Sequence, residues 1–153
     1  MKESWEFTKM FHAFDLIPQS WKDFFEIGNV TSGCDCMDLQ IGEIFRGPVT
    51  ILVQLRDLEP VPSNVYRTIQ FLAKVQRQYR TLLLANDDRA LWLFGYWLGV
   101  LCRFRNVWWC EKRARRDYTA ILMWLRQRDL IERSGDEGRR WREMMAELEH
   151  ASV

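Results

Sequence analysis

The sequence predicts a predominantly helical α+β fold: two short N-terminal helices, a β-hairpin, then a bundle of about four helices. Three observations predict it. Apolar residues recur at i, i+3, i+4 and i+7 over most of the chain, which is the spacing of one helical face. Residues 37–55 depart from that spacing and are rich in β-branched side chains. Pro60 and Pro62 block helix and ladder bonding alike, so they mark off 1–58 (helices plus hairpin) from 63–150 (helical bundle), two segments expected to form one compact unit.

Phe7, Met10, Phe11 and Phe14 make one helical face, with Ser4 placed to cap it. Pro18 suits the first turn of a second helix, on which Trp21, Phe24 and Phe25 form an apolar stripe that Gly28 closes. Met37, Leu39 and Ile41 alternate with polar residues and read as a strand. PVTILVQL, 48–55, reads as its partner, with Arg46-Gly47-Pro48 as the turn. Ser63 is placed to cap a helix running to about Ala85, inward through Val65, Ile69, Leu72, Tyr79 and Leu83. Asn86-Asp87-Asp88 breaks it, and Asp87 or Asp88 can cap the next helix, 88–105, which is apolar on most sides and predicted to be the centre of the core. A further helix over 111–128 turns Tyr118, Ile121, Leu122 and Leu125 inward.

Nearly half the residues are apolar and 28% are charged, the balance of a globular chain. The most apolar run, Ala90 to Cys102, falls short of the roughly 20 residues that span a bilayer, so no membrane contact is expected. The N-terminal MKESWEFTKM has no apolar signal region, and the four cysteines then suit reduced thiols in a cytoplasmic or nuclear protein rather than a secreted one.

Net charge is only +1, but it is uneven: 103–142 holds twelve basic and six acidic side chains, whereas 1–58 holds five and nine. Such a basic segment is a candidate polyanion contact, or an ordinary solvated face. On a helical wheel, Lys112, Arg113, Arg116, Ala120, Met123 and Gln127 lie opposite the inward face of 111–128, with Asp117 at the margin. Arg and Gln pair with guanine and adenine edges, and Lys and Arg neutralise phosphates.

The pattern LxxLxxRxLIER, 122–133, followed by Gly138-Arg139-Arg140-Trp141, resembles the passage from recognition helix to wing in winged-helix regulators of the MarR type, over about 116–142. The resemblance implies duplex DNA binding, usually by a homodimer, with Arg139, Arg140 and Arg142 on a wing strand near the backbone. The residues also allow a helix over 138–150, because Trp141, Met144, Met145 and Leu148 repeat the helical spacing and Asp136 can cap it.

Other chemistry is sparse. Cys34-Asp35-Cys36 with Cys102 and Cys110 would supply four thiolates for zinc, but two loop thiols and two core thiols explain them more simply. Only His12 and His150 are present, and no nucleophile elbow, P-loop or dinucleotide fingerprint appears, so neither a catalytic site, a cofactor nor a metal is expected. Adjacent Trp108 and Trp109 cannot both face one core; with Trp124 they are candidates for a protein-binding hot spot or for base stacking. The sequence thus supports two readings: a non-catalytic nucleic-acid-binding protein using Lys112, Arg113, Arg116, Gln127, Arg139, Arg140 and Arg142, or an adaptor or inhibitor binding a protein through Trp108, Trp109 and Trp124.

Overall fold

The computed structural model describes residues 16–28 and 41–153. The expected first helix, with His12, and the Cys34–Cys36 pair lie outside the described residues. Pro18 precedes α1 (Gln19–Phe24), which buries Trp21 and Phe24. The chain leaves it through Glu26 and Gly28, both at positive φ.

The next element corrects the expected α+β class. Ile41–Arg56 is an α-helix, α2, with Pro48 inside it, and no strand occurs among the described residues. The expected hairpin is therefore absent over 41–55, and 37–40 lie outside the described residues. Phe45, Val49, Leu52 and Val53 are essentially fully buried. Their 4-3-1 spacing is helical, and it was masked by the β-branched composition and by a Gly-Pro that mimics a turn. An internal proline costs a helix about 3 kcal/mol. Each buried Phe, Val or Leu returns about 1.5–3 kcal/mol, so burial of four of them wins. The Thr50 hydroxyl donates to the Arg46 carbonyl at 2.6 Å, adding a bond in the turn that the proline weakens.

The long helix expected from Ser63 to Ala85 is also corrected. It is a series of short pieces: a 3₁₀ turn (Pro62–Asn64), α3 (Val65–Ile69), α4 (Phe71–Lys74), extended backbone at Val75 and Gln76, then α5 (Arg77–Leu84). Ser63 caps nothing; Val61 occupies the cap position. Tertiary bonds favour the breaks. The Trp97 indole donates to the Thr68 carbonyl at 2.6 Å, and Arg80 donates to the Leu72 carbonyl at 2.6 Å. Broken in this way, the segment buries Val65, Phe71, Val75 and Tyr79 together.

Asp87 caps α6 (Asp88–Cys102), its side chain accepting from the Ala90 amide at 3.0 Å. As expected of a helix apolar on most sides, α6 is central: it packs against α2, α3, α5, α7 (Trp108–Arg126) and α8 (Asp136–Glu149). Gly95 and Gly99 permit the close approach. A Cβ on Gly95 would lie 2.8 Å from Ile121, and one on Gly99 would lie 2.6 Å from the Ala151 Cβ. Arg103 ties three elements at the far end, donating to Ala151 O at 2.8 Å and to Arg56 O at 2.9 Å. Residues of α1 and α2 enter the same apolar cluster as those of α3–α8, so the Pro60–Pro62 connector does not separate two cores among the described residues.

After α7 the chain turns through Asp129, at φ 53°, into a 3₁₀ turn (Leu130–Glu132) and then Gly135, at φ 74°. Residues 136–149 are helical, with Gly135 rather than Asp136 at the cap position. The helical alternative for 138–150 is the one found, and Arg139, Arg140 and Arg142 are on a helix, not on a wing strand.

Candidate functional site

α7 is amphipathic in a particular way. Cys110, Ala114, Tyr118, Leu122 and Leu125 are buried on its inner face. The Tyr118 hydroxyl donates to the Leu148 carbonyl, fixing the helix to α8. The opposite face carries Trp109, Lys112, Arg113, Arg116, Ala120, Met123, Trp124 and Gln127, all exposed. Trp109 is 48% exposed, Met123 54% and Trp124 44%, and Trp108 at the flank is 80% exposed. Both tryptophans of the 108–109 pair are thus outside the core.

The charges on this face differ in how they are held. Arg116 contacts Asp117 at 3.5 Å, a well-solvated pair. Arg115 and Glu111, lower on the helix, pair at 3.1 Å, and Arg126 reaches Glu149 of α8 at 3.0 Å. Lys112 and Arg113 have no carboxylate within ion-pair distance among the described residues. Gln127, at the C-cap position, completes the strip.

The remaining predicted nucleic-acid contacts do not join it. Arg139 pairs with Asp136 at 3.2 Å. Arg140 lies toward α1, lining a cleft with Asp23, Glu26 and Trp141. Arg142 falls on the other flank of α8, the side of Glu149. The structure therefore brings Lys112, Arg113, Arg116 and Gln127 together with Trp109 and Trp124, and distributes the three arginines of α8 around their own helix.

The cleft was not legible in the sequence. It has a volume of about 370 Å³ and lies where the end of α1 meets the starts of α6 and α8. Arg89 donates to Phe24 O at 3.1 Å and contacts Glu26 at 3.4 Å. Asp88 is gripped by Arg128 at 2.5 Å and by Arg133 at 3.6 Å, and Arg133 also holds Glu137. The Asp88 Oδ1 is buried without an aligned hydrogen bond, so its contact with Arg128 is electrostatic rather than directional. These partners are far apart in sequence, and no local pattern announces them. The network's evident work is to clamp three elements.

Of the cysteines, Cys102 and Cys110 are buried and free. Burial pushes the Cys102 thiol up to about 11, so it is protonated at neutral pH. No group of three or more His, Cys, Asp or Glu side chains is placed to hold a metal among the described residues. Asp87 is a helix cap, and His150 accompanies the end of α8, its Nδ1 2.8 Å from Ala146 O. No helix of the described residues is long and apolar enough to cross a membrane.

With this geometry in view, comparison with known proteins adds no assignment: no protein family, curated protein or solved structure matches the chain.

Proposed function

We propose that the protein is a non-catalytic binding protein, of the adaptor or inhibitor kind, that docks a protein partner on the outward face of α7. The observation that carries this reading is the joint exposure, along one helix face, of Trp109 next to Lys112 and Arg113, two cations with no carboxylate in reach among the described residues, and of Met123 and Trp124 about three turns further on. Trp, Met and Arg are the side chains enriched at protein interfaces, and Trp and Arg dominate their hot spots. Met123 and Trp124, consecutive on the chain, leave two large apolar groups in water that an apolar partner surface would cover. Free thiols at Cys102 and Cys110 suit a cytoplasmic or nuclear setting.

The two unpaired cations also favour a second reading, contact with nucleic acid. It has less support, because Arg116 and Arg139 are paired and the arginines of α8 do not extend the strip. The MarR-type reading further needs a wing, and 130–142 is built from a 3₁₀ turn and a helix.

A benzophenone side chain placed at Met123 in the full-length protein, irradiated in cell extract, tests the proposal. The expected result is a discrete protein adduct that disappears with Trp124→Ala or Arg113→Ala. An adduct removed by nuclease would establish the nucleic-acid reading instead. An adduct of twice the chain mass would identify a homodimer. No adduct at all would remove α7 as a contact surface.

A further inference from the structure

We infer that the partner taken by the α7 face is an acidic amphipathic helix; this rests on the protein-binding reading above and specifies its chemistry. The argument begins with how the face is divided. Its N-terminal half carries Trp109 and the cations Lys112, Arg113 and Arg116, the last in a well-solvated pair with Asp117 at 3.5 Å. Its C-terminal half, Ala120, Met123, Trp124 and Gln127, is uncharged. Lys112 to Trp124 is about 18 Å along the helix at a rise of about 1.5 Å per residue. A second helix of three to four turns matches that length.

Ala120 supplies the seat. It is the one short side chain on the strip, flanked by Arg116 on one side and Met123 and Trp124 on the other. Helix pairs approach most closely where side chains are small, at about 8–10 Å between axes. An apolar ridge resting on Ala120 would lie between Met123 and Trp124, and the flexible thioether of Met123 adapts to whichever ridge arrives. Carboxylates one to two turns further along that helix would reach Lys112 and Arg113.

The same charges argue against the other occupants. A second copy packed in parallel would bring the cationic ends together, which is costly. Packed antiparallel, it would set each cationic end against the uncharged end of the other and offer Lys112 and Arg113 no carboxylate from this face. An extended nucleic-acid strand would find its phosphate contacts confined to Lys112–Arg116, about 6 Å of helix, with uncharged surface beyond. A helix with segregated acids and apolar groups satisfies both halves.

The test is a display selection of random peptides of about sixteen residues against the full-length protein and against Lys112→Glu/Arg113→Glu/Arg116→Glu. All three side chains are exposed, and circular dichroism checks that the variant keeps its helices. Expected on the natural protein are peptides rich in Asp and Glu with apolar residues at i, i+3 or i+4, and i+7. The variant should select Lys and Arg with the same apolar spacing. A synthetic peptide from the first pool should bind at least about tenfold more weakly to Trp124→Ala, and should weaken with salt. Selection of peptides without acidic excess, of peptides that bind the charge-reversed variant equally well, or of none would overturn the inference. A protein adduct at Met123 together with any of those results would retain protein binding at α7 and discard the acidic helix. Loss of the adduct as well would discard both.

Discussion

Four tryptophans in the interior and three on α7 put one side chain to two uses. Trp21, Trp92, Trp97 and Trp141 are at most 5% exposed. The indole N–H of Trp92 donates to Met144 O at 2.8 Å, that of Trp97 to Thr68 O, and that of Trp21 to the Glu147 carboxylate. The rings of Trp21, Trp92 and Trp141 form a network with Phe24, Phe25 and Tyr96, Trp97 stacks on Phe71, and the Arg56 guanidinium lies 5.0 Å above the Trp21 ring. Trp108, Trp109 and Trp124 have large exposed surfaces and no ring partner among the described residues. A buried indole must satisfy its N–H or lose about 1–3 kcal/mol. An indole in water meets no such demand, because solvent satisfies its N–H.

The largest effect should come from breaking the interior set. Trp92→Ala removes a fully buried ring and its bond to α8, and about 3–5 kcal/mol of stability is expected to go with it. Chemical denaturation should show either a much lower midpoint or no folded baseline. The same substitution at Trp124 should leave the midpoint nearly unchanged, and equal losses at the two sites would abolish the distinction.

A smaller loss probes how closely the interior is packed. At Gly99 an added Cβ would lie 2.6 Å from Ala151 and 3.0 Å from Tyr118, so Gly99→Val should cost about 1–3 kcal/mol. Ala120→Val, on the outer face of the neighbouring helix, should cost only the few tenths that separate the two residues in helix propensity. Thermal melts of the pair would show whether α7 is tight on one side only.

The interior also predicts a pH dependence. Burial raises Cys102 to about 11 and pushes Cys110, Tyr79 and Tyr118 upward as well. Each is neutral when protonated, so the folded state keeps its proton to higher pH than the unfolded chain. The stability this contributes is complete below pH 9, the ordinary thiol value, and is lost as pH rises from there through 11. Melting temperature should therefore fall over that window, and less steeply in Cys102→Ala. A flat profile would mean that these groups are wetter than their burial implies.

The interior and the outer face were unequally legible. The central helix announced itself, because Ala90 to Cys102 is apolar all round and Asp87 is a cap residue at the right place. α7 and α8 followed from Tyr118, Leu122 and Leu125 and from Trp141, Met144, Met145 and Leu148. α2 was misread because Val49, Thr50, Ile51 and Val53 favour strands locally, while the reason they are helical lies in the neighbours they pack against, which are far along the chain. The breaks between α3 and α5 go with the Trp97 indole taking the Thr68 carbonyl, twenty-nine residues away and outside any local window, and with Arg80 taking the Leu72 carbonyl, a side-chain bond that no periodicity announces. At the site, one helical wheel placed Lys112, Arg113, Arg116 and Gln127 on a common face. It could not say that Arg140 would turn toward α1, because that depends on how α8 sits on the core.

The smallest effect on stability should accompany the largest effect on binding. Trp109→Ala/Trp124→Ala removes two half-exposed rings with no ring partner, so the change in folding stability should stay within about 1 kcal/mol for the pair. Acrylamide should quench a distinct fraction of the natural protein's fluorescence, and that fraction should shrink in the double variant, leaving Trp108 as its main source. Binding of a selected acidic peptide should protect the quenchable fraction in the natural protein and fail in the variant. The logic is a separation of costs: interior tryptophans are held by the fold, whereas on the proposed reading those of α7 contribute to binding and little to folding. If the double variant unfolds as readily as Trp92→Ala, Trp109 and Trp124 are structural and the partner-binding reading of this face is lost. If stability and binding both survive, the face is exposed without being used, and Lys112, Arg113 and Arg116 are an ordinary solvated edge.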